Sequence, residues 1–366
     1  MERATVAIYE ERGDRWAAGV RAERRQAAEA FAAEVPMGMP RIDLGCGAGR
    51  YTASLGSPCV ALDAARSMLE MCRAAAPDAL LVRADLEQLP FGRGTLDGAW
   101  ANMSYLHLPR KKLPCALADL HRSMRVGAPL DIQVLRGEFE GTGLTDDRVG
   151  GRFFAAWSHD MLVHVLVGAG FEVVHSEVVA DEGSDHRVEG LLRARAERAR
   201  TVPDMVGPGM RVLVCGLAPS IEAADAGVGF SGPGDRFWPA ALAAGLVSDD
   251  RDARRALSSH RVGIADVVKR TAASISDIGP DEYRSAAPRL EALVSWLEPA
   301  AVCFIGLEGW RAITDPAAQP GTQQLLFGGR PVYVTPSMSV AFDDISLEEL
   351  ARHLGLAASL ADSARR

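Results

Sequence analysis

Short apolar runs recur along the first half of the chain, separated by stretches in which apolar residues have helical spacing. Such runs, bounded by turn residues, indicate buried strands, whereas apolar residues at every third or fourth position indicate amphipathic helices. The predicted strands lie at 41–44, 58–63, 79–84, 96–101, 130–135, 171–179 and 187–196, after one or two helices in 3–35. Helices between successive strands predict a parallel, doubly wound sheet, which the last strands complete to seven.

The strand pattern is interrupted near residue 200 and then begins again. The segment T-V-P-D-M-V-G-P-G is rich in Pro and Gly, which favours a linker at 199–209. Beyond it, a buried strand ends in a turn at 210–220, a Gly-rich loop and helix follow at 226–246, and further strands are predicted at 300–306 and 331–339. The sequence therefore predicts two α/β domains, 1–198 and 210–366.

The stretch R-I-D-L-G-C-G-A-G-R-Y joins the first strand to a glycine-rich turn. Gly45, Gly47 and Gly49 allow positive φ and let a ligand approach the backbone without a Cβ in the way. Carboxylates follow the next two strands, at Asp63 and Asp85. An acid at the end of the second strand is placed to accept hydrogen bonds from a ribose diol. By spacing alone, the turn is equally compatible with a dinucleotide-type turn or an ordinary loop.

This series resembles the class I S-adenosylmethionine-dependent methyltransferases, whose motif is matched at Asp43, the three glycines, Asp63 and Asp85. The resemblance implies a Rossmann-like domain with S-adenosylmethionine as cofactor. The cofactor-binding residues that it implies are Asp43, Gly45, Gly47, Gly49, Asp63, Asp85 and Leu86. In this family a segment before the first strand often folds over the cofactor, so Tyr9, Trp16 and Tyr51 are candidates for a lid or for core packing.

The tip after the fourth strand reads N-M-S-Y-L-H-L, at the end of the sheet where ligands bind in open α/β folds. His107 is the candidate general base there, and Tyr105 is the residue predicted to orient it. A single histidine in a loop is also compatible with a purely structural role. Residues 152–162 are predicted to open a helix with Ser158 as N-cap.

Composition and charge narrow the classes of function. The chain has 366 residues and a net charge of −8, which argues against affinity based on DNA phosphate contacts. The six cysteines contain no C-x-x-C pair, so neither a disulfide framework nor a metal site is predicted. Charges run through the first thirty residues, and no apolar run approaches the length of a membrane span. We expect a cytoplasmic protein with no membrane or metal partner.

The second half resembles the mismatch-specific uracil-DNA glycosylases of the Mug and thymine-DNA glycosylase type over residues 205–360, above all in the stretch G-D-R-F-W-P. The resemblance implies an α/β/α domain that binds a nucleobase through Gly216, Leu217, Ala218, Phe230, Thr335 and Ser337. The family holds its hydrolytic water with an Asn, where this chain has Ala218. The family motif N-P-S-G-L is here T-P-S-M-S. The pocket is thus predicted to be kept and the catalytic group lost.

An alternative remains, because G-L-A-P also resembles the turn of another glycosylase group that uses an acid elsewhere. Asp235 or Asp225 could supply that acid, although Asp235 could equally cap a helix.

Three functions follow from these motifs. The first is methyl transfer to a nucleobase or nucleoside, with the second domain binding the base and RNA favoured over duplex DNA as partner. The acceptor could be a modified uridine with a carboxylated side arm. The second is excision of uracil from DNA. The third is methyl transfer to a small molecule, with the second domain as a scaffold.

Overall fold

The computed structural model describes residues 2–18, 24–145, 147–179, 187–339 and 345–364. The chain divides into two compact units. One comprises Met1–Leu166 and Phe171–Ala199, and the other comprises Val167–Gly170 and Arg200–Arg366. Among the described residues, no helix has both the length and the apolar character needed to cross a bilayer.

The first unit alternates strands and helices. Its helices are α1 (Arg3–Ala18), α2 (Arg25–Glu34), α3 (Arg66–Ala75), α4 (Leu113–Ser123) and α5 (His159–Gly168), with short 3₁₀ turns at Tyr105–His107 and Arg110–Lys112. Its strands are β1 (Arg41–Leu44), β2 (Cys59–Asp63), β3 (Leu80–Arg83), β4 (Gly98–Asn102), β5 (Pro129–Gly137), β6 (Glu140–Gly141), β7 (Phe154–Trp157), β8 (Phe171–Val179) and β9 (Val188–Arg198).

Seven of these strands form a continuous sheet in the order β3-β2-β1-β4-β5-β9-β8. Strands β1 to β5 are parallel to their neighbours, whereas β9 and β8 run antiparallel. All residues of β1 and β2 are buried, as expected for parallel strands covered on both faces. The predicted α/β fold with a mostly parallel sheet is therefore confirmed.

Two further strands extend the described sheet to nine. The end of β5 also pairs with β7, at Leu135–Ala156 and Arg136–Trp157, and β6 pairs with β7. The sequence predicted that residues 152–162 open a helix, but 154–157 form a strand and the helix begins at His159. A buried apolar run of four residues has no periodicity that separates a strand from a helix, so only the partner strand decided this segment.

The second unit is a three-layer α/β/α domain. Its strands are β10 (Val212–Gly216), β11 (Val262–Asp266), β12 (Ala301–Ile305), β13 (Gly321–Thr322) and β14 (Val332–Thr335). Its helices are α6 (Ile221–Ala226), α7 (Phe237–Ala243), α8 (Ala253–His260), α9 (Pro280–Leu297), α10 (Leu307–Ile313) and α11 (Leu347–Ala364), with a 3₁₀ turn at Ile275–Asp277. The strand order is β11-β10-β12-β14-β13, parallel except for β13. Separate apolar clusters around Trp238 and Trp310 cover its two faces.

The predicted linker 199–209 includes an anchor of the second unit. Asp204 is 2 % exposed, and its carboxylate accepts hydrogen bonds from Lys269 at 2.8 Å and Arg289 at 2.6 Å. Met205 pairs with Ile264 of β11 through both backbone hydrogen bonds. Pro and Gly exclude regular structure in this segment, but its buried side chains bind it to the sheet.

Replacing Asp204 with Asn is expected to destabilise the second unit by about 3 kcal/mol, because two buried cations would lose their counter-charge. Thermal or denaturant unfolding of the full chain would measure the loss. Asp225→Asn is the control, since Asp225 pairs with Arg200 at the surface, where ion pairs contribute little. Equal stability of the two variants would contradict the anchoring role of Asp204.

Candidate functional site

A cavity of about 310 Å³ lies in the first unit at the carboxyl ends of β1, β2 and β4. Since β1 lies between β2 and β4, the strand order reverses at this point. Ligands bind at such a reversal in open α/β sheets, because the flanking connections leave a crevice there. The predicted cofactor residues in the cavity wall are Asp43, Gly45, Gly47, Asp63 and Leu86.

The three glycines after β1 all have positive φ, and each meets a different neighbour. A Cβ on Gly45 would lie 2.5 Å from the Cβ of Ser104, and one on Gly47 would lie 3.0 Å from the Trp16 ring. A Cβ on Gly49 would lie 2.9 Å from the Cα of Cys72. Gly45 and Gly47 therefore shape the cavity, whereas Gly49 lets α3 pack against the turn.

Two carboxylates lie in the cavity wall. Asp63 accepts hydrogen bonds from the amides of Gly47 at 3.0 Å and Ala65 at 2.8 Å, and Asp43 accepts one from the Thr52 hydroxyl at 2.6 Å. Burial raises the pKa of Asp63 to about 6 and the pKa of Asp43 to about 7. A bound cation would favour the ionised form of both groups.

Asp85 is not among the residues that line this cavity. Its carboxylate accepts the amide of Glu87 at 3.0 Å, within the turn that follows β3. It thus stabilises its own turn, and the neighbouring Leu86 contributes to the cavity wall. Sequence spacing identified the turn but could not tell which of the two adjacent side chains faces the ligand.

Helix α1 closes one side of this cavity. Its residues Tyr9 and Trp16 lie in the wall, as does Tyr51. Between them, the Glu10 carboxylate accepts the amides of Arg66 at 2.7 Å and Ser67 at 2.8 Å. These amides belong to the first turn of α3, where backbone donors have no partner within the helix. These two hydrogen bonds hold α1 against the start of α3 at the side of the cavity, and the lid stays a prediction.

A chain of three polar side chains occupies the other end of the cavity. Arg152 donates to the hydroxyl oxygen of Tyr9 at 2.7 Å, and that oxygen lies 2.9 Å from Nε2 of His107. The Phe153 carbonyl lies 2.7 Å from Nδ1 of His107. A carbonyl only accepts, so Nδ1 carries the proton and Nε2 accepts from Tyr9. Burial lowers the pKa of His107 to about 4 and raises the pKa of Tyr9 to about 12.

Tyr105, the predicted partner of His107, lies elsewhere. Its side chain is fully buried, and within the described residues its hydroxyl has no hydrogen-bond partner. The 3₁₀ turn at Tyr105–His107 directs the two side chains apart, and Tyr9 contacts His107 instead. Tyr9 is 98 positions away in sequence, and no local pattern links the two residues.

The turn after β4 completes the wall with Asn102, Met103 and Ser104. Met103 has a φ of 57°, which is unusual for a residue with a side chain. Strained backbone of this kind is concentrated at ligand-binding sites.

A second cavity, of about 630 Å³, lies in the second unit at the ends of β10, β11 and β12. Of the predicted base-binding residues, Leu217, Ala218, Phe230 and Ser337 lie in its wall. Gly216 and Thr335 are the last residues of β10 and β14. The Thr335 hydroxyl donates to the carbonyl of Pro336 at 2.8 Å and so serves its own loop.

The two predicted acids of this half differ in position. Asp235 lies in the cavity wall, where its carboxylate accepts the Gly232 amide at 2.8 Å, and burial raises its pKa. It does not cap α7, whose N-cap is Arg236. Asp225 pairs with Arg200 at the surface. Of the two, Asp235 is therefore the one placed to meet a ligand.

Asp266 is a cavity residue that the sequence reasoning missed. It ends β11 in the run V-G-I-A-D, and burial raises the pKa of its carboxyl to about 6. A charged residue that ends a fully apolar strand was the available signal, of the same kind that marked Asp63 in the first unit.

Gly216 makes room for two neighbours at the second cavity. A Cβ on Gly216 would lie 2.3 Å from Oδ1 of Asp266 and 3.1 Å from the Phe230 ring. Phe230 has a φ of 57°, and its ring packs on Phe237 with centroids 4.4 Å apart. The carboxylate and the aromatic edge therefore approach the same point, which only a glycine leaves open.

Two family models match this chain. Residues 42–130 match the methyltransferase domain, and residues 203–344 match the uracil DNA glycosylase superfamily. The chain joins a methyltransferase domain to a domain of the uracil DNA glycosylase superfamily. The first is an S-adenosylmethionine-dependent methyltransferase domain, as the sequence predicted. The Mug and thymine-DNA glycosylase type stays a prediction from the motifs of the second.

Several solved structures similar to the chain are methyltransferases. The CcbJ methyltransferase from Streptomyces caelestis is 19 % identical with a TM-score of 0.42, over 54 % of this chain and 100 % of its own. The 1,6-didemethyltoxoflavin-N1-methyltransferase from Burkholderia thailandensis is 20 % identical with a TM-score of 0.42, over 54 % and 89 %. A methyltransferase from Mesorhizobium loti is 21 % identical with a TM-score of 0.39, over 49 % and 98 %. The assignment of each domain rests on the family models.

The wall of the methyltransferase cavity fits S-adenosylmethionine. Gly45 and Gly47 leave space that a Cβ would fill, Asp63 and Asp43 supply buried negative charge for a sulfonium cation, and Leu86 adds apolar surface. Asp63 is the residue that would accept the ribose hydroxyls. Within the described residues, no group of three or more His, Cys, Asp or Glu side chains is arranged to hold a metal ion.

Asp63→Ala is expected to weaken S-adenosylmethionine binding by roughly 1.5–3 kcal/mol, because a hydrogen bond to a charged acceptor is lost. Isothermal titration calorimetry of the full chain would measure the affinity. Asp85→Ala is the matched control, since Asp85 bonds within its own turn, and it should bind the cofactor nearly as well as the unmodified protein. Unchanged affinity in Asp63→Ala would show that the end of β2 does not hold the ribose.

Proposed function

We propose that this protein transfers a methyl group from S-adenosylmethionine to a nucleobase or nucleoside, and that the glycosylase-superfamily domain mainly binds the base. The observation that supports methyl transfer is the arrangement of the first cavity. The cofactor carboxylates Asp43 and Asp63 and the chain Arg152–Tyr9–His107 line one cavity. A methyl donor and a proton acceptor can therefore meet in it.

Bound S-adenosylmethionine supplies an activated methyl group. An acceptor N–H or O–H that attacks it must give up a proton as the new bond to carbon forms and the carbon–sulfur bond breaks. The Tyr9 oxygen takes that proton while the proton of Tyr9 passes to Nε2 of His107. His107 is neutral at physiological pH, because burial lowers its pKa to about 4, so Nε2 keeps a lone pair that accepts the Tyr9 hydrogen bond. The same burial makes this imidazole a weaker base than an exposed histidine. The Arg152 guanidinium stabilises negative charge that develops on the Tyr9 oxygen.

The nature of the acceptor is suggested by the second domain. Its cavity combines an aromatic ring, Phe230, with the ends of three parallel strands, and it has Ala218 where the glycosylase motif holds a water. A ring and backbone groups suffice to bind a flipped or free base. Loss of the group that positions the water lowers hydrolysis by a factor of roughly 100 to 1,000. Base binding is thus the function that these residues support best.

The charge of the chain favours free nucleosides over a long nucleic acid, and RNA rather than duplex DNA stays a prediction from the sequence. A net charge of −8 provides little of the phosphate attraction on which duplex binding depends. A modified uridine in RNA is one acceptor of the proposed class. If its methyl-accepting group is a carboxylate, transfer needs no base, because the acceptor is already deprotonated.

The function can be tested by mass spectrometry of nucleosides. RNA, DNA and the free nucleoside pool would be compared between cells with and without this protein. We expect one methylated nucleoside to disappear when the protein is absent and to return when it is supplied again.

The Asp63→Ala variant is the control in this comparison, since it should not restore the methylated nucleoside. An unchanged nucleoside profile together with a changed small-molecule profile would contradict nucleobase methylation and favour the small-molecule alternative. Accumulated uracil in DNA would instead favour excision.

Tyr9→Phe is expected to lower kcat for the identified acceptor by about 10²- to 10⁴-fold, because the proton path to His107 is broken. The affinity for S-adenosylmethionine should stay nearly unchanged, since the aromatic ring remains. Initial rates and calorimetry on the same preparation separate these two effects.

Tyr105→Phe is the matched control, because its hydroxyl has no hydrogen-bond partner among the described residues. It should keep the rate of the unmodified protein. If Tyr105→Phe were slow and Tyr9→Phe fast, the original prediction that Tyr105 orients the base would be right. Equal rates for both variants and the unmodified protein indicate an acceptor that needs no proton removal.

A further inference from the structure

The wall of the second cavity is acidic. It includes the carboxylates of Glu222, Asp235, Asp266 and Glu308, and none of its described residues is Lys, Arg or His. Glu222 and Glu308 are exposed and easily screened, whereas Asp266 is 5 % exposed. Asp266 is therefore the carboxylate whose charge acts on a bound ligand with the least screening by solvent.

The carboxylate of Asp266 has no hydrogen-bond donor within the part of the chain that the structure describes. The two nearest cations, Lys269 and Arg289, both donate to the carboxylate of Asp204. Arg289 also donates to the backbone carbonyl of Asp266, not to its side chain. A buried carboxylate without donors is costly unless a ligand supplies them.

Phe230 provides the second, independent feature. Its positive φ places the ring at the cavity, and the missing Cβ of Gly216 lets the ring edge and the Asp266 carboxylate approach the same point. The face of an aromatic ring attracts cations. A ligand in this cavity can thus contact the carboxylate and the aromatic ring together.

These two features do not suit the pairing edge of uracil. That edge presents one N–H between two carbonyl oxygens, and the oxygens would repel a carboxylate. A base that carries a positive charge and an amino group offers donors to the carboxylate and charge to the ring. Methylation of cytosine or adenine at a ring nitrogen produces such bases.

We propose that the cavity of the glycosylase-superfamily domain binds a positively charged nucleobase with N–H donors, of the class formed by ring-nitrogen methylation, in preference to uracil. The proposal rests on the proposed function, in which this cavity receives a base, and among the acceptors of that function it favours cytosine or adenine over a modified uridine. It adds the selectivity: Asp266 pairs with the amino group and positive charge, and Phe230 stacks on the ring.

The test is calorimetric titration of the full chain with 3-methylcytidine and 3-methyluridine. The two nucleosides have nearly the same size, but at neutral pH only the first is a cation with N–H donors on its base. We expect 3-methylcytidine to bind about 10- to 100-fold more tightly, the range typical of a charge-assisted hydrogen bond. This comparison needs no variant and so does not depend on the folding of one.

Asp266→Asn keeps the shape of the side chain and should remove most of this preference by weakening 3-methylcytidine binding about tenfold or more. Asp225→Asn, outside the cavity, should keep the preference. Thermal unfolding of both variants verifies that they are folded.

Tighter or equal binding of 3-methyluridine would overturn the proposal and leave base binding intact. The same preference in Asp266→Asn would overturn the role of Asp266. Failure of both nucleosides, and of a short single strand that carries either base, would overturn base binding and with it this proposal.

Discussion

The hydrogen bond from the Gly47 amide to the Asp63 carboxylate joins the turn after β1 to the end of β2, and the cofactor cavity depends on it. It is possible because the glycine backbone can turn with positive φ and bring its N–H to the neighbouring strand. The same bond partly satisfies a carboxylate that burial would otherwise leave unfavourable. If Asp63 binds the ribose, as we propose, the diol meets an acceptor that is already held in place.

The second domain also has a glycine and a carboxylate at the ends of neighbouring strands, but the hydrogen bonds of the carboxylate differ. Gly216 ends β10 as Gly45 follows β1, and Asp266 ends the neighbouring strand as Asp63 does. In the second domain, however, no backbone amide of the described chain donates to the carboxylate. Asp63 thus has hydrogen-bond donors before a ligand binds, whereas the carboxylate oxygens of Asp266 stay available to accept from a ligand. This difference separates a cofactor site from a site with selectivity for charge.

The hydrogen-bonded chain of Arg152, Tyr9 and His107 is assembled from distant segments. Tyr9 lies on α1, His107 on the turn after β4, and Arg152 just before β7. Burial acts in opposite directions on two of these groups, lowering the pKa of the imidazole and raising that of the phenol. Both therefore stay neutral at physiological pH before the reaction, and in the proposed relay Tyr9 ends neutral while His107 carries the positive charge.

The sequence alone predicted much of the fold, because its signals are local. Apolar runs identified β1, β2, β4, β5, β8 and β9, the helical spacing identified the helices between them, and the glycines after β1 identified the turn. Asp63 was identified by a local signal too, because it is an acid at the end of an apolar run. Residues 154–157 were missed as a strand, since a short buried run carries no periodicity of its own.

Only the tertiary structure decided which side chains line the two cavities and which of them meet. Tyr9 rather than Tyr105 meets His107, Leu86 rather than Asp85 lines the cofactor cavity, and Asp266 lies beside Phe230. Each of these depends on the packing of segments far apart in the chain. Propensity, periodicity and turn chemistry act over a few residues, so they determine helices, strands and turns. The direction of a side chain at the end of a strand or helix is determined by the segments that pack against it.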